Sequence, residues 1–109
     1  MSARFITTST HALEGQTCTI AKRVEFDAAV NSIVRNIEGV LAKLQKSFDI
    51  EHEDLLVESD VAAMRNALDQ SRRLELVEGS IQGIDGIAPD RVTRLSYILN
   101  STYEIEPVA

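Results

Sequence analysis

The chain has no tryptophan and only three phenylalanines and two tyrosines, so its core must be built mainly from aliphatic side chains. Cys18 is its single cysteine, which excludes an internal disulfide. The only histidines are His11 and His52, which leaves little material for metal or acid–base chemistry. No apolar run approaches the roughly 18 residues that a membrane span needs. The opening MSARFITTST lacks the apolar stretch of a secretory signal. From these absences we expect a soluble, reduced, cytoplasmic protein.

Basic charge is also short. There are 11 Lys and Arg against 17 Asp and Glu, a net charge of −6. The segment DIEHEDLLVESD holds Asp49, Glu51, Glu53, Asp54, Glu58 and Asp60 and no base, which accounts for the whole excess. The broad basic footprint of a nucleic-acid binder is missing, so nucleic acid is not an expected partner. The acidic run reads as a solvated connector over 49–58, with a face for a basic partner as its other reading.

Length and composition fit one globular domain over residues 1–109, ordinary at 44% hydrophobic and 26% charged. Residues 3–9, RFITTST, and 16–24, QTCTIAKRV, are rich in β-branched side chains, and Gly15 between them suits a hairpin loop. Cys18, Ile20 and Val24 alternate with Thr17, Thr19 and Arg23, although Ala21 and Lys22 blur the later pattern. These features predict a β-ribbon over 1–26. It needs helices or another chain to lie on.

From 27 to 48, Val30, Ile33, Val34, Ile37, Leu41, Leu44 and Phe48 recur at helical spacing, with Asp27 at the start and Lys43 and Lys46 near the end. A second helix is expected over 59–78, opened by Ser59 or Asp60 and stopped by Gly79. A third is expected over 89–105, opened by Pro89 and closed by Pro107, with Val92, Leu95, Leu99, Thr102 and Tyr103 on its buried stripe. The expected fold is α+β: an N-terminal β-ribbon followed by three principal helices in a small single-layer core.

The stretch SDVAAMRNALDQSRRLELVEG (59–79) has two readings. As one continuous helix it packs Val61, Met64 and Leu68 on its own domain, and its apolar stripe then shifts to Leu74 and Val77. As a helix ending near Ser71 it continues as an extended segment, with Leu74 and Leu76 on one side. The helix formers running through Glu78 favour continuity. In that case Ala63, Ala67, Leu74, Val77 and Ile81 face a second copy or another protein, with Arg94 and Tyr97 on the last helix as further interface anchors.

Chemistry is hard to find. IEHEDL has no second ligand pair at metal-binding spacing, and EGSIQGIDGI lacks the spacing and lysine of a phosphate loop. Cys18 with His11 as base would be a nucleophile without an oxyanion site. Neither a cofactor, a metal nor a small-molecule substrate is expected, and no catalytic residue is named. On the last helix, Arg91, Arg94, Tyr97 and Ser101 form the face a major groove would meet, with Arg72 and Arg73 near phosphates. The residues RVTRLSYILN (91–100) resemble one helix of the Xre/ParS-type antitoxins, which implies a helix-turn-helix DNA-binding regulator. The ten-residue connection from Gly79 to Ala88 is too long for that motif's turn of about three or four. The expected function is therefore that of a non-enzymatic, homodimeric protein that binds another protein and inhibits or modulates it, a transcription regulator being one candidate partner. A DNA-binding or antitoxin-type regulator and a purely structural homo-oligomer are the alternatives.

Overall fold

A computed structural model of the chain describes residues 3–47, 55–80 and 82–108. The elements run β1 (Phe5–His11), β2 (Thr17–Val24), α1 (Phe26–Ser47), α2 (Glu58–Ser71), β3 (Arg73–Leu76), α3 (Pro89–Leu99) and β4 (Ser101–Pro107). The four strands form one antiparallel sheet in the order β2-β1-β4-β3. The fold is thus α+β, with the hairpin first and three helices after it.

Alternation decides which face of the sheet the helices cover. Phe5 and Thr7 on β1, Leu74 and Leu76 on β3, and Ser101, Tyr103 and Ile105 on β4 are all buried. The residues between them, among them Ile6, Thr8, Glu75, Thr102 and Glu104, are only partly covered. A period of two with one buried face is what a sheet with helices on a single side requires. Ile33, Val34, Ile37 and Leu41 of α1, Met64 and Leu68 of α2, and Val92, Leu95 and Leu99 of α3 complete the core. Leu55 is buried with them, just before α2. The buried hydroxyl of Thr7 is satisfied by the Ser32 hydroxyl at 2.9 Å.

The blurred pattern in β2 has a structural cause. Thr8 faces Thr19 while Thr7 faces Ala21, so Ile20 is an extra residue on the β2 side. A second irregularity lies between Thr7 and Phe5, next to Arg23 with its φ of 54°. Each shift is a β-bulge that swaps the face of the residues beyond it.

The second and third helices are both shorter than the sequence suggests. α2 ends at Ser71, and Arg72 takes the left-handed conformation (φ 57°, ψ 20°), its N–H donating to Leu68 O. Such a backbone is unfavourable for a residue with a Cβ. Arg72 is held by its surroundings: the guanidinium lies 5.1 Å from the Phe5 ring centroid and 5.6 Å from that of Phe26, and its carbonyl accepts from Ile105 N–H. Residues 73–76 then pair with 101–104 as a strand. The extended reading of this segment is the right one, and a continuous helix over 59–78 does not form.

α3 likewise ends at Leu99 rather than near 105. Asn100 is left-handed (φ 43°, ψ 47°), a conformation its short polar side chain tolerates. It ties three segments together: its carboxamide Oδ1 accepts from Glu78 N–H, its carbonyl accepts from Ala12 N–H, and its own N–H donates to Ser96 O. The chain then continues as β4, an inner strand between β1 and β3. Gly79 does not stop a helix. It sits at φ 83° in the turn closed by Ser80 N–H on Val77 O.

Candidate protein-interaction surfaces

The sequence-derived interface residues do not share one surface. Ala63 and Leu74 are core residues. Leu74 is 2% exposed and faces inward from β3, while Ala63 is buried against Gly86. A Cβ on Gly86 would sit 3.1 Å from that of Ala63, and Gly86 has a φ of 94°. The small side chain of Ala63 therefore permits close approach within the chain rather than between copies. Ala67 is half-buried beside Leu74 and Ile84. Ile81 lies outside the described residues, as do His52 and the acids at 49, 51, 53 and 54.

Val77 and Tyr97 do come together. With Val92, Thr93 and Ser96 they line a cleft of about 270 Å³ between α3 and the segment after β3. Tyr97 is 69% exposed at its rim, and Arg94 is half-buried on the same helix. Tyrosine pairs a broad apolar ring with a polar tip, which suits a surface that is wet when alone and dry when occupied.

Arg91, by contrast, is turned into the fold. Its guanidinium meets the carboxylate of Asp60, with Nε 3.1 Å from Oδ2, and Nη2 reaches Leu55 O at 3.5 Å. Asp60 is 2% exposed and also accepts the N–H of Val57 at the start of α2. The ion pair clamps the opening of α2 to α3. It also removes Arg91 from the expected nucleic-acid face. α2 and α3 are separated by β3 and residues 77–88, so they do not form a helix-turn-helix.

A second concave surface, of about 380 Å³, lies under the β1–β2 hairpin. Asn36, Val40 and Leu44 form its wall on α1, Ile98 contributes from α3, and His11 and Cys18 contribute from the hairpin. Sequence reasoning missed this groove because Val40 lies off the main α1 stripe. Its signal was the i, i+4, i+8 series of Asn36, Val40 and Leu44 on the same helix.

The groove brings His11 and Cys18 to one place. His11 Nδ1 accepts the N–H groups of Leu13 and Glu14 at 3.3 and 3.4 Å. Tyr103, at the groove floor, is pushed by burial from the ordinary 10.0 up to about 12, with the Ser101 hydroxyl acting weakly the other way. It stays a neutral phenol. Among the described residues no cluster of three His, Cys, Asp or Glu is arranged to hold a metal, and no helix is long and apolar enough to cross a membrane.

No known family model, curated protein or solved structure matches this chain. Its own surfaces are the remaining ground for a function.

Proposed function

We propose that this is a non-enzymatic regulatory protein, cytoplasmic and homodimeric, that binds another protein and inhibits or modulates it. Regulators of transcription are one class of such a partner. The observation that carries the reading is Tyr97, an exposed aromatic ring at the rim of a cleft floored by Val77 and Val92. Exposed tyrosines beside pockets are typical anchors of protein interfaces, where truncating one costs about 2 kcal/mol or more of binding. The face comprises two of the residues singled out from the sequence and excludes Ala63 and Leu74, which serve the core.

The test compares immobilised wild-type chain with its Tyr97→Ala variant in extract from the native cell. One or more retained proteins should fall by roughly 30-fold in affinity with the variant, at unchanged folding stability. Equal retention of every protein by both chains would rule this face out as the binding surface.

A further inference from the structure

We propose that the cleft beside Tyr97 receives one basic side chain of the partner protein, arginine in preference to lysine. This rests on the Tyr97 reading above and specifies the chemistry the partner must present. Volume sets the first limit. The cleft holds about 270 Å³, below the roughly 300–1,000 Å³ of pockets that enclose a drug-sized molecule. It suits a single inserted side chain rather than a free small ligand.

The lining then sorts the side chains. Val77 and Val92 supply apolar walls, Ser80, Thr93 and Ser96 supply hydroxyls, and Glu78 is the one charged residue among the described lining. Glu78 is exposed, and no ion pair among the described residues engages its carboxylate. Arg94, half-buried three positions before Tyr97, lies outside the lining. An acidic side chain entering here meets Glu78 as a like charge. An aliphatic one strips water from that carboxylate and returns no partner for it, which is unfavourable. Arginine or lysine lays its methylene stem on the valines and carries its cation to the carboxylate. The Tyr97 ring at the rim offers the cation an electron-rich face as well. A guanidinium meets both groups better than an ammonium, because it stacks flat on a ring and pairs with a carboxylate through two N–H groups. The net charge of −6 also draws a basic partner in from further away.

The site is set before binding. Glu78 N–H donates to Asn100 Oδ1 at 3.0 Å, and Asn100 N–H donates to Ser96 O at the end of α3. Ser80 N–H closes the following turn on Val77 O at 3.0 Å, around Gly79 with its φ of 83°. The backbone that carries the carboxylate is thus tied to the helix that carries the ring, so little ordering entropy is lost on binding.

Nuclear magnetic resonance titration of the isotope-labelled full chain with N-acetyl-arginine amide tests the proposal. Amide signals of residues 77–80 and 93–97 should shift. N-acetyl-citrulline amide, of the same shape without the charge, should bind roughly 3- to 10-fold more weakly, and so should the arginine compound to a Glu78→Gln variant. Glu78 is exposed, so the variant should unfold at the same urea concentration as the wild type. Equal binding of the two compounds, binding unchanged by Glu78→Gln, or shifts absent from these residues would each overturn the basic anchor. A captured protein released by Tyr97→Ala but held by Glu78→Gln overturns it too, while leaving the Tyr97 face intact. A captured protein released by neither variant overturns both.

Discussion

Replacing Leu74 by alanine distinguishes the sheet from the alternative helix by the size of the effect. In the structure Leu74 sits on β3, fully enclosed, opposite Tyr103 of β4. Truncation there removes buried methyl groups and leaves a hole between a sheet and helices that cannot fully close. Leu→Ala in such sites costs about 2–5 kcal/mol. A chain of this size unfolds with a total of roughly 5–15 kcal/mol, so on the order of a third of the stability is at stake. A loss of about 3 kcal/mol lowers the melting temperature by on the order of 15 °C. On an exposed helical surface the same change stays within about 0.5 kcal/mol, because alanine is itself the best helix former. Urea unfolding followed by circular dichroism reads the difference. A midpoint unchanged by Leu74→Ala, with an unchanged slope, would refute the placement of β3 in the sheet.

Two further outcomes are expected from the buried polar groups. Arg91→Met should cost roughly 3 kcal/mol in urea unfolding, because it strands the Asp60 carboxylate in the core. Adding Asp60→Asn to that variant should recover part of the loss, and a double variant less stable than Arg91→Met contradicts the clamp. Tyr103 sets an alkaline limit on stability. Its phenol ionises near 10.0 in the unfolded chain and only at about 12 in the fold, so the folded state binds the extra proton between those values. The contribution is complete below pH about 10 and lost as pH rises toward 12, amounting to roughly 2–3 kcal/mol. Wild-type stability should fall across that range, while that of a Tyr103→Phe variant should stay flatter. Equal slopes in the two chains would contradict the assignment.

The parts of this fold that the sequence reveals are those governed by local pattern. The β-branched hairpin with Gly15 and the long stripe of α1 require no distant partner to be recognised. The ends of α2 and α3 depend on one. RRLEL contains good helix formers, and only pairing with β4, some thirty residues later, makes it a strand. β4 had its own signal in the alternation of Ser101, Tyr103 and Ile105, which a helical stripe through Leu99, Thr102 and Tyr103 concealed. Both helices end at non-glycine residues, Arg72 and Asn100, in left-handed backbone. The arginine gives no sequence signal for that, since ring stacking with Phe5 and Phe26 holds it in place.

The surfaces obey the same division. Val77 and Tyr97 are legible because each falls outside a core stripe. Ala63 and Leu74 are not surface residues, and their positions become clear only once Gly86 and β4 are placed against them. Of the hairpin groove only the Asn36, Val40 and Leu44 wall on α1 leaves a mark in the sequence, because the rest of its lining comes from β1, the hairpin, α3 and β4.

Partner capture from native cells with Tyr97→Ala beside the wild type tests the central claim most directly, provided both chains are first shown to unfold at the same denaturant concentration. A specific protein held by the wild type should be released by the variant. Identical captured proteins, in identical amounts, would contradict the claim.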